Sequence, residues 1–259
     1  MEKNDKIDEI FDLELSNNRY LKGHINRLKE SFYFLEKHLK NDQKIIDVGS
    51  YGHFTKLLSK IYTSSFDLTN FELRDEFPIE SEKYDMSLCM EVIEHLKDKD
   101  SNNLEYISSF RHTGILNLLC EINRILKNGG ILFLTTPNLS TYLSILKILR
   151  YDNPYFFSPH PRELSINELK TLLTKTGFEI LEIETKNVWN EYSIDSERHS
   201  KFISDIKKFS EENGFSDELR GDDIFIIAKK VKKPLKTLIE NEYFSVTLDD
   251  IYPQQNPFN

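Results

Sequence analysis

Apolar residues recur along the chain with two different periods, and each period predicts a different kind of element. Near the N-terminus they fall at spacings of three and four and describe one helix face: Leu21, Ile25, Leu28, Phe32, Leu35 and Leu39. From Lys44 onward they form short apolar runs that end in glycine, proline or asparagine, which is typical of strands. The pattern predicts a helical N-terminal extension followed by an α/β domain.

Short apolar runs alternate with helical periods through the middle of the chain. The predicted strands cover residues 45–49, 65–68, 84–89, 131–136, 178–183 and 223–229. The predicted helices cover residues 54–60, 115–126 and 166–176, with a further charged helix before the last strand. Asn128-Gly129-Gly130 is a stop signal for the second helix. This alternation predicts an α/β fold with a mostly parallel sheet and helices on both faces.

Three units follow from these patterns. Residues 1–42 form the N-terminal helical extension, residues 43–232 the α/β domain, and residues 233–259 a C-terminal tail of mixed polarity. Within the domain, residues 97–114 are a polar insertion that we expect to act as a lid. Ligands of open parallel sheets bind outside the carboxyl ends of the strands, which places the predicted site near the first strand.

Composition and charge narrow the range of functions. Lys+Arg 34 against Asp+Glu 43 gives a formal charge of −9, which disfavours a nucleic acid as partner. Cys89 and Cys120 lie in apolar segments, so we expect buried thiols. The N-terminus lacks the apolar stretch of a signal peptide, and no run of about 18 apolar residues exists to span a membrane. The sequence therefore predicts a cytoplasmic protein, and it leaves the oligomeric state open.

A glycine turn and two acids carry the first chemical signal. The strand at 45–48 runs into Gly49-Ser50-Tyr51-Gly52, and glycines let the backbone approach a ligand closely. Asp47 stands where a carboxylate could receive an ammonium group, and Asp67 lies 20 residues further on, where a carboxylate can accept ribose hydroxyls. These residues alone describe any nucleotide-binding fold, or only a tight turn.

Three further segments give the chain a resemblance to class I S-adenosylmethionine-dependent methyltransferases of types 11 and 12. Residues 84–96 resemble the family's fourth motif, with Glu-Val-Ile-Glu-His-Leu after an apolar strand. Residues 122–138 resemble its helix and fifth strand, and residues 160–180 resemble its next helix and sixth strand. With the glycine turn, the resemblance runs from about residue 44 to 185 and resumes at 221–230.

The resemblance implies a Rossmann-like, mostly parallel sheet of seven strands that binds S-adenosylmethionine and transfers its methyl group by in-line displacement. The residues that it implies for cofactor binding are Asp47, Gly49, Ser50, Tyr51, Gly52, Asp67, Leu68, Cys89, Met90 and Glu91. Only 38 positions separate Asp47 from Asp85, fewer than in the family. We therefore expect the helix after the second strand, or the third strand, to be abbreviated.

The candidate catalytic residues are histidines. His160 follows the strand predicted at residues 131–136, in a position to act as general base for a hydroxyl acceptor. Glu91, Glu94 and His95 stand at i, i+3 and i+4, where one helix face brings them together. With His160 they resemble sets that hold one divalent cation, Mg²⁺ or Mn²⁺, in some methyltransferases. In many relatives the same acids contact the cofactor or cap a helix, so both interpretations stay open.

The favoured function is O-methylation of a small molecule or of a sugar precursor of a surface glycan. The sugar part rests on a resemblance of residues 111–114 and 220–225 to bacterial methyltransferases associated with polysaccharide synthesis. Tyr155, Phe156, Phe157 and Trp189 either line the acceptor pocket or pack in the core. One alternative is RNA 2′-O-methylation with the Glu-Glu-His metal site. The other is a non-catalytic binding protein with a cofactor fold, suggested because Tyr51 and His53 stand where the family's turn usually has two of its three glycines.

Overall fold

Six strands make up one sheet in the part of the chain that the computed structural model describes, which is residues 9–11, 19–98, 113–189 and 196–234. The strands are β1 (Lys44–Asp47), β2 (Ser65–Leu68), β3 (Tyr84–Met90), β4 (Leu126–Pro137), β5 (Phe178–Lys186) and β6 (Asp223–Lys230). Their order is β2-β1-β3-β4-β6-β5. The first four pair in parallel, and β6 runs antiparallel between β4 and β5.

Two described helices precede β1, and five others lie between the strands along the chain, as the α/β pattern predicts. They are α1 (Arg19–Lys22), α2 (Ile25–Leu35), α3 (His53–Leu58), α4 (Thr113–Ile125), α5 (Tyr142–Leu149), α6 (Ile166–Lys175) and α7 (Ser196–Glu212). The sequence pattern did not predict α5. Most of its residues are apolar but only Ser144 is buried, so its apolar residues do not mark a face that packs into the core. No helix within the described ranges is both long and apolar enough to cross a membrane.

The described sheet has six strands, one fewer than the resemblance implied. The close spacing of Asp47 and Asp85 predicted this abbreviation. After β2, residues 69–83 contain turns and bends but neither the helix nor the third strand. A parallel crossover needs a dozen or more residues in addition to its strand, so this segment is too short for both. It is anchored instead by buried Phe77, whose N–H donates to Glu121 (2.7 Å) and whose carbonyl accepts from Arg124 (2.9 Å).

The N-terminal extension packs on one face of the sheet. Leu28, Phe32 and Leu35 of α2 are buried, as their spacing predicted. Phe34 also meets the sheet, with its ring 5.9 Å from that of Phe225 on β6. The predicted helix to residue 42 is too long, because a 3₁₀ turn (Glu36–His38) closes it and Leu39 is extended.

The opposite face is covered by α4 and α6. Helix α4 ends at Ile125, earlier than the predicted stop at Asn128-Gly129-Gly130, because Leu126 already pairs with Tyr84 and begins β4. Gly129, with a φ of +76°, therefore lies at the irregular start of β4 and does not cap a helix. Cys89 and Cys120 are buried free thiols, which confirms their prediction. Residues 99–112 of the expected lid and residues 235–259 of the expected tail lie outside the described ranges.

Candidate active site

A cavity of about 390 Å³ opens at the carboxyl ends of β1 and β3, where the α/β pattern predicts a ligand. The glycine turn, the segment after β3 and the N-terminal extension all contribute to its walls. The lining residues are Leu21, His24, Arg27, Leu28, Asp47, Gly49, Ser50, Tyr51, His53, Phe54, Leu73, Met90, Glu91, Val92, His95 and Leu96. Its volume lies in the range of small-molecule sites.

The glycine turn after β1 needs its glycines. Gly49 has a φ of +79°, and a Cβ at this position would lie 2.7 Å from Cγ1 of Val92. Gly52 also has a positive φ, of +74°, and immediately precedes α3. The N–H of Gly49 donates to Oγ1 of Thr69 (2.8 Å), which fixes the turn against the end of β2. At these two glycines the backbone therefore borders the cavity directly, with no side chain between it and a ligand.

Asp47 presents an unusual buried carboxylate to this cavity. The residue is fully buried, the hydroxyl of Ser50 donates to its Oδ2 (2.5 Å), and its Oδ1 has no hydrogen-bond partner among the described residues. Burial raises the pKa of Asp47 to about 6, against a smaller lowering effect of neighbouring hydroxyls. A buried acceptor without a partner is costly, so Asp47 and the turn fit a ligand that brings a cationic donor, such as the ammonium group of S-adenosylmethionine.

The ten residues predicted to bind the cofactor fall into two groups. Six of them line the cavity: Asp47, Gly49, Ser50, Tyr51, Met90 and Glu91. Gly52, Leu68, Cys89 and Asp67 lie outside its lining. The carboxylate of Asp67 accepts a hydrogen bond from the hydroxyl of Tyr84 (2.7 Å) and lies 3.9 Å from the ammonium of Lys83. Its contact with the ribose stays a prediction, and the structure directs its carboxylate to Tyr84.

The N-terminal extension supplies cavity residues that the motif reasoning missed. His24 and Arg27 line the cavity together with Leu21 and Leu28. Arg27 is only 8% exposed, and its Nη1 lies 3.9 Å from Oε1 of Glu91. The sequence contained a signal for His24. It lies three residues after Leu21 and four before Leu28, so it places a polar group on the apolar helix face.

His160 is buried and held by an acid that the motif reasoning did not single out. Its Nδ1 lies 2.7 Å from Oε1 of Glu163, and the two side chains are 6% and 0% exposed. Glu163 also accepts from the backbone N–H groups of Phe156 (2.7 Å) and Phe157 (3.1 Å). The acid thus holds the loop and the imidazole together.

Three predicted site residues converge at the end of β3. Glu94, His95 and His160 each offer one ligand-type atom, and these atoms lie within 4.8 Å of one another. The rings of His95 and His160 meet edge to face, with centroids 4.6 Å apart. Oε2 of buried Glu94 accepts from Thr136 (3.0 Å), and burial, aided by Glu91, raises the pKa of Glu94 well above its ordinary value. Burial also lowers the pKa of His95, and the nearby imidazole of His160 lowers it further by a smaller amount.

Glu91 does not belong to this group of three, so its place in the four-ligand set stays a prediction. The prediction assumed one helix face for Glu91, Glu94 and His95, but only a 3₁₀ turn (Ile93–His95) forms there. Glu91 has a φ of +54°, directly after the end of β3. Its Oε1 instead accepts from the hydroxyl of Thr135 on β4 (2.8 Å).

Similarity to solved structures is evident at the level of the fold. An S-adenosylmethionine-dependent methyltransferase from Archaeoglobus fulgidus matches with 16% identity over 82% of this chain and 100% of its own, with a TM-score of 0.50. A Haloferax volcanii protein, described as a candidate methyltransferase in complex with the activator Trm112, matches with 14% identity over 86% and 98%, also at 0.50. No curated protein sequence matches significantly.

The family assignment comes from the sequence itself. A family described as a methyltransferase domain matches residues 18–183, which is more than half of the chain. That range includes the last residues of the N-terminal extension, the glycine turn, the cluster at the end of β3 and the His160–Glu163 pair. The fold of the similar structures agrees with the Rossmann-like sheet described above. The chain therefore belongs to the methyltransferase-domain family and is a class I S-adenosylmethionine-dependent methyltransferase.

Proposed function

We propose that this enzyme methylates a hydroxyl oxygen of a small molecule or of a sugar precursor of a surface glycan, with His160 as the general base. The observation that supports this proposal is the buried His160–Glu163 pair beside the cofactor cavity. S-adenosylmethionine supplies a methyl group whose carbon the acceptor oxygen attacks in line; the carbon–oxygen bond forms as the carbon–sulfur bond breaks, and S-adenosylhomocysteine is the leaving group. A hydroxyl must lose its proton during that attack, and a positioned imidazole accelerates the step by about 10²- to 10⁴-fold.

The hydrogen bonds of Glu163 decide which nitrogen of His160 accepts the proton. Glu163 already accepts two backbone N–H groups, as an ionised carboxylate does, so Nδ1 of His160 donates to it. Nε2 then carries the lone pair and is the atom available to an acceptor hydroxyl. The same carboxylate stabilises the imidazolium that forms after proton transfer, as acids paired with catalytic histidines do.

Cofactor binding and proton transfer are assigned to different residues. Asp47 and the glycine turn lie on the cofactor side of the cavity, whereas His160 acts on the acceptor. A transfer assay with tritiated methyl donor and a panel of hydroxyl compounds, sugars and RNA oligonucleotides tests the function. We expect His160→Ala to lower turnover by about 10²-fold or more while the dissociation constant of S-adenosylmethionine stays within twofold. Near-normal turnover in this variant would remove His160 from the chemistry.

A metal-assisted form of the same reaction is supported by the convergence of Glu94, His95 and His160. Oε2 of Glu94 and Nδ1 of His160 are engaged elsewhere, which leaves Oε1 and Nε2 as the candidate ligand atoms. Two imidazoles and one carboxylate fit Mn²⁺, Co²⁺ or Zn²⁺ better than Mg²⁺, which prefers oxygen. A cation held there would lower the pKa of the acceptor hydroxyl.

The two other functions give different results in the same experiments. RNA 2′-O-methylation is disfavoured by the formal charge of −9, and incorporation of label into RNA but not into sugars would support it. A non-catalytic binding protein would fail to transfer label to any acceptor. Calorimetric titration with S-adenosylmethionine separates a protein that has lost the cofactor from an enzyme that lacks its acceptor in the panel.

A further inference from the structure

Arg27 is a buried cation in the wall of the cofactor cavity. It lies on α2 in the N-terminal extension, lines the cavity and is only 8% exposed. Its Nε and Nη1 have no hydrogen-bond partner among the described residues. A buried guanidinium that lacks hydrogen bonds is costly, because its N–H groups have lost their contacts with water. These two donors therefore fit a ligand that brings acceptor atoms into the cavity.

The acid beside Arg27 balances its charge but does not use its donors. Nη1 of Arg27 lies 3.9 Å from Oε1 of Glu91, which is longer than a hydrogen bond. That oxygen instead accepts from the hydroxyl of Thr135 (2.8 Å). The ion pair therefore stabilises a positive charge at this place in the wall, and the N–H groups of Arg27 stay available to a ligand.

Trp189 holds the guanidinium of Arg27 from a distant part of the chain. The guanidinium carbon lies 5.5 Å from the centroid of the Trp189 ring, within the range of a cation–π contact. The backbone N–H groups of Val188 (2.9 Å) and Trp189 (3.2 Å) both donate to the carboxylate of Asp222, which fixes the segment after β5. Arg27 is thus positioned before a ligand binds, and such preorganisation reduces the entropy cost of binding.

The charges that line the cavity are suited to a ligand with both signs of charge. Apart from histidines, the charged side chains among its described lining residues are Arg27, Asp47 and Glu91. Burial, aided by Arg27, lowers the pKa of His24 to about 4, so that its imidazole is neutral at pH 7. Oδ1 of Asp47 is an acceptor without a described partner, just as Nε and Nη1 of Arg27 are donors without one. A zwitterion would satisfy both residues at once.

From these observations we infer that Arg27 binds the carboxylate at the methionine end of S-adenosylmethionine, while Asp47 receives the ammonium group of the same end. A guanidinium is the side chain best suited to a carboxylate, because charge strengthens each N–H···O bond. The charges also balance. The cofactor carries two positive groups, the sulfonium and the ammonium, and one negative group, whereas the cavity wall has two acidic side chains and one basic one.

A carboxylate of the cofactor fits the position of Arg27 better than an anionic group of the acceptor does. Arg27 lines the same cavity as Asp47 and the glycine turn, which are the residues on the cofactor side. The proposed base, His160, does not line this cavity. The N-terminal extension is thus a part of the cofactor site that recognises the amino-acid end of the ligand, whichever acceptor the enzyme uses.

The inference is tested by calorimetric titration of the full chain with two ligands, S-adenosylmethionine and its decarboxylated form, which lacks the carboxylate alone. The wild type should bind S-adenosylmethionine about 10- to 100-fold more tightly, as expected for hydrogen bonds to a charged group. Arg27→Gln should lose that preference, because the affinity for S-adenosylmethionine falls by the same factor and that for the decarboxylated form stays within about threefold. Arg27→Lys keeps the charge and should retain part of the preference.

The matched control is Arg150→Gln, which makes the same change at an exposed arginine paired with Asp152 (3.5 Å) and should leave both affinities unchanged. Melting temperatures show which variants are folded, and Arg27→Lys decides the matter if Arg27→Gln does not fold. Equal affinity of the wild type for both ligands, or a preference that persists in the Arg27 variants, would overturn the inference. Because these measurements involve no methyl transfer, they are independent of the proposed acceptor and of His160.

Discussion

Oε1 of Glu163 lies 2.7 Å from Nδ1 of His160, and both side chains are buried in the loop between α5 and α6. The same acid accepts two backbone N–H groups of that loop. This arrangement fixes the ring of His160 next to His95, at the edge of the cofactor cavity. The position of the proposed base therefore depends on a residue that does not itself line the cavity.

Replacement of Glu163 by glutamine tests this dependence. Glu163→Gln keeps the shape of the side chain but removes the charge that holds the proton on Nδ1 and stabilises the imidazolium. We expect turnover to fall by about 10- to 100-fold, the usual effect of losing a residue that orients a functional histidine. The affinity for S-adenosylmethionine should stay within twofold, and the acid limb of the pH–rate profile should shift to lower pH, because the imidazolium loses its partner.

Exposed Glu179 on β5 provides the matched control, since Glu179→Gln makes the same chemical change far from the loop. A merely structural role for Glu163 would lower the melting temperature without moving the pH–rate profile. That result would contradict the positioning role.

Gly49 gives a second test, of the glycine turn. A Cβ on Gly49 would lie 2.7 Å from Val92, and the φ of +79° is strained for any other residue. Gly49→Ala should therefore weaken cofactor binding about tenfold or more and lower stability by about 1–3 kcal/mol. Gly214→Ala is the control, because Gly214 has a similar φ of +70° but nothing within 4 Å. Gly214→Ala should lose stability but keep its affinity for the cofactor. Equal cofactor affinity in both variants would refute a close approach of the cofactor to the backbone at Gly49.

The sequence predicted most of the fold because its elements are marked by local patterns. The strands of the sheet are short apolar runs, and Gly177, with its φ of +89°, follows α6 where the pattern ends. The abbreviated segment after β2 was also predicted, because the spacing of Asp47 and Asp85 is shorter than in the family that the sequence resembles. Helix α5 was missed, and its apolar residues, among them exposed Ile148 and Leu149, do not mark a buried face.

The site was predicted less completely, because convergence depends on backbone geometry that no local pattern specifies. Glu91, Glu94 and His95 share a face only if the chain is helical, and the positive φ of Glu91 turns its side chain toward Thr135 instead. Arg27 joins the cavity from a distant segment through packing of α2 on the sheet. Long-range packing of this kind is not visible in a motif.

Asp47 makes cofactor binding depend on pH. Burial raises its pKa to about 6, and only the ionised form attracts the ammonium group of the cofactor. We expect the affinity for S-adenosylmethionine to decrease as pH falls below about 6 in the wild type. Asp47→Asn should bind about tenfold more weakly at pH 7.5 and show a flatter dependence. Calorimetric titrations between pH 5 and 8 measure both effects, and parallel curves would contradict the assignment.

The same group predicts how the stability of the cofactor-free protein changes with pH. The folded-state pKa of Asp47 lies above its unfolded value of 3.8, so the folded state holds the proton more tightly. This contribution lowers the free energy of unfolding as pH rises from about 4 to about 6, by an amount on the order of 3 kcal/mol. Asp47→Asn lacks it, so the variant should gain stability relative to the wild type across this interval. Urea unfolding of both proteins at pH 4.5 and 7 tests this: the stability of Asp47→Asn relative to the wild type should be greater at pH 7 than at pH 4.5.

Removal of divalent ions separates the two roles that His160 can play. If His160 is the base, activity survives thorough chelation, and His95→Gln lowers turnover much less than His160→Ala, because His95 does not remove the proton. We expect this result, since Glu163 already pairs with His160 in the geometry of a base. The measurement is turnover before and after dialysis against a chelator, followed by addition of Mn²⁺, Zn²⁺ or Mg²⁺. His38→Gln is the control, because His38 pairs with Glu182 and does not line the cavity of the active site. Activity that is lost on chelation, restored by Mn²⁺, and equally sensitive to Glu94→Gln, His95→Gln and His160→Ala would instead assign these three side chains to a metal ion.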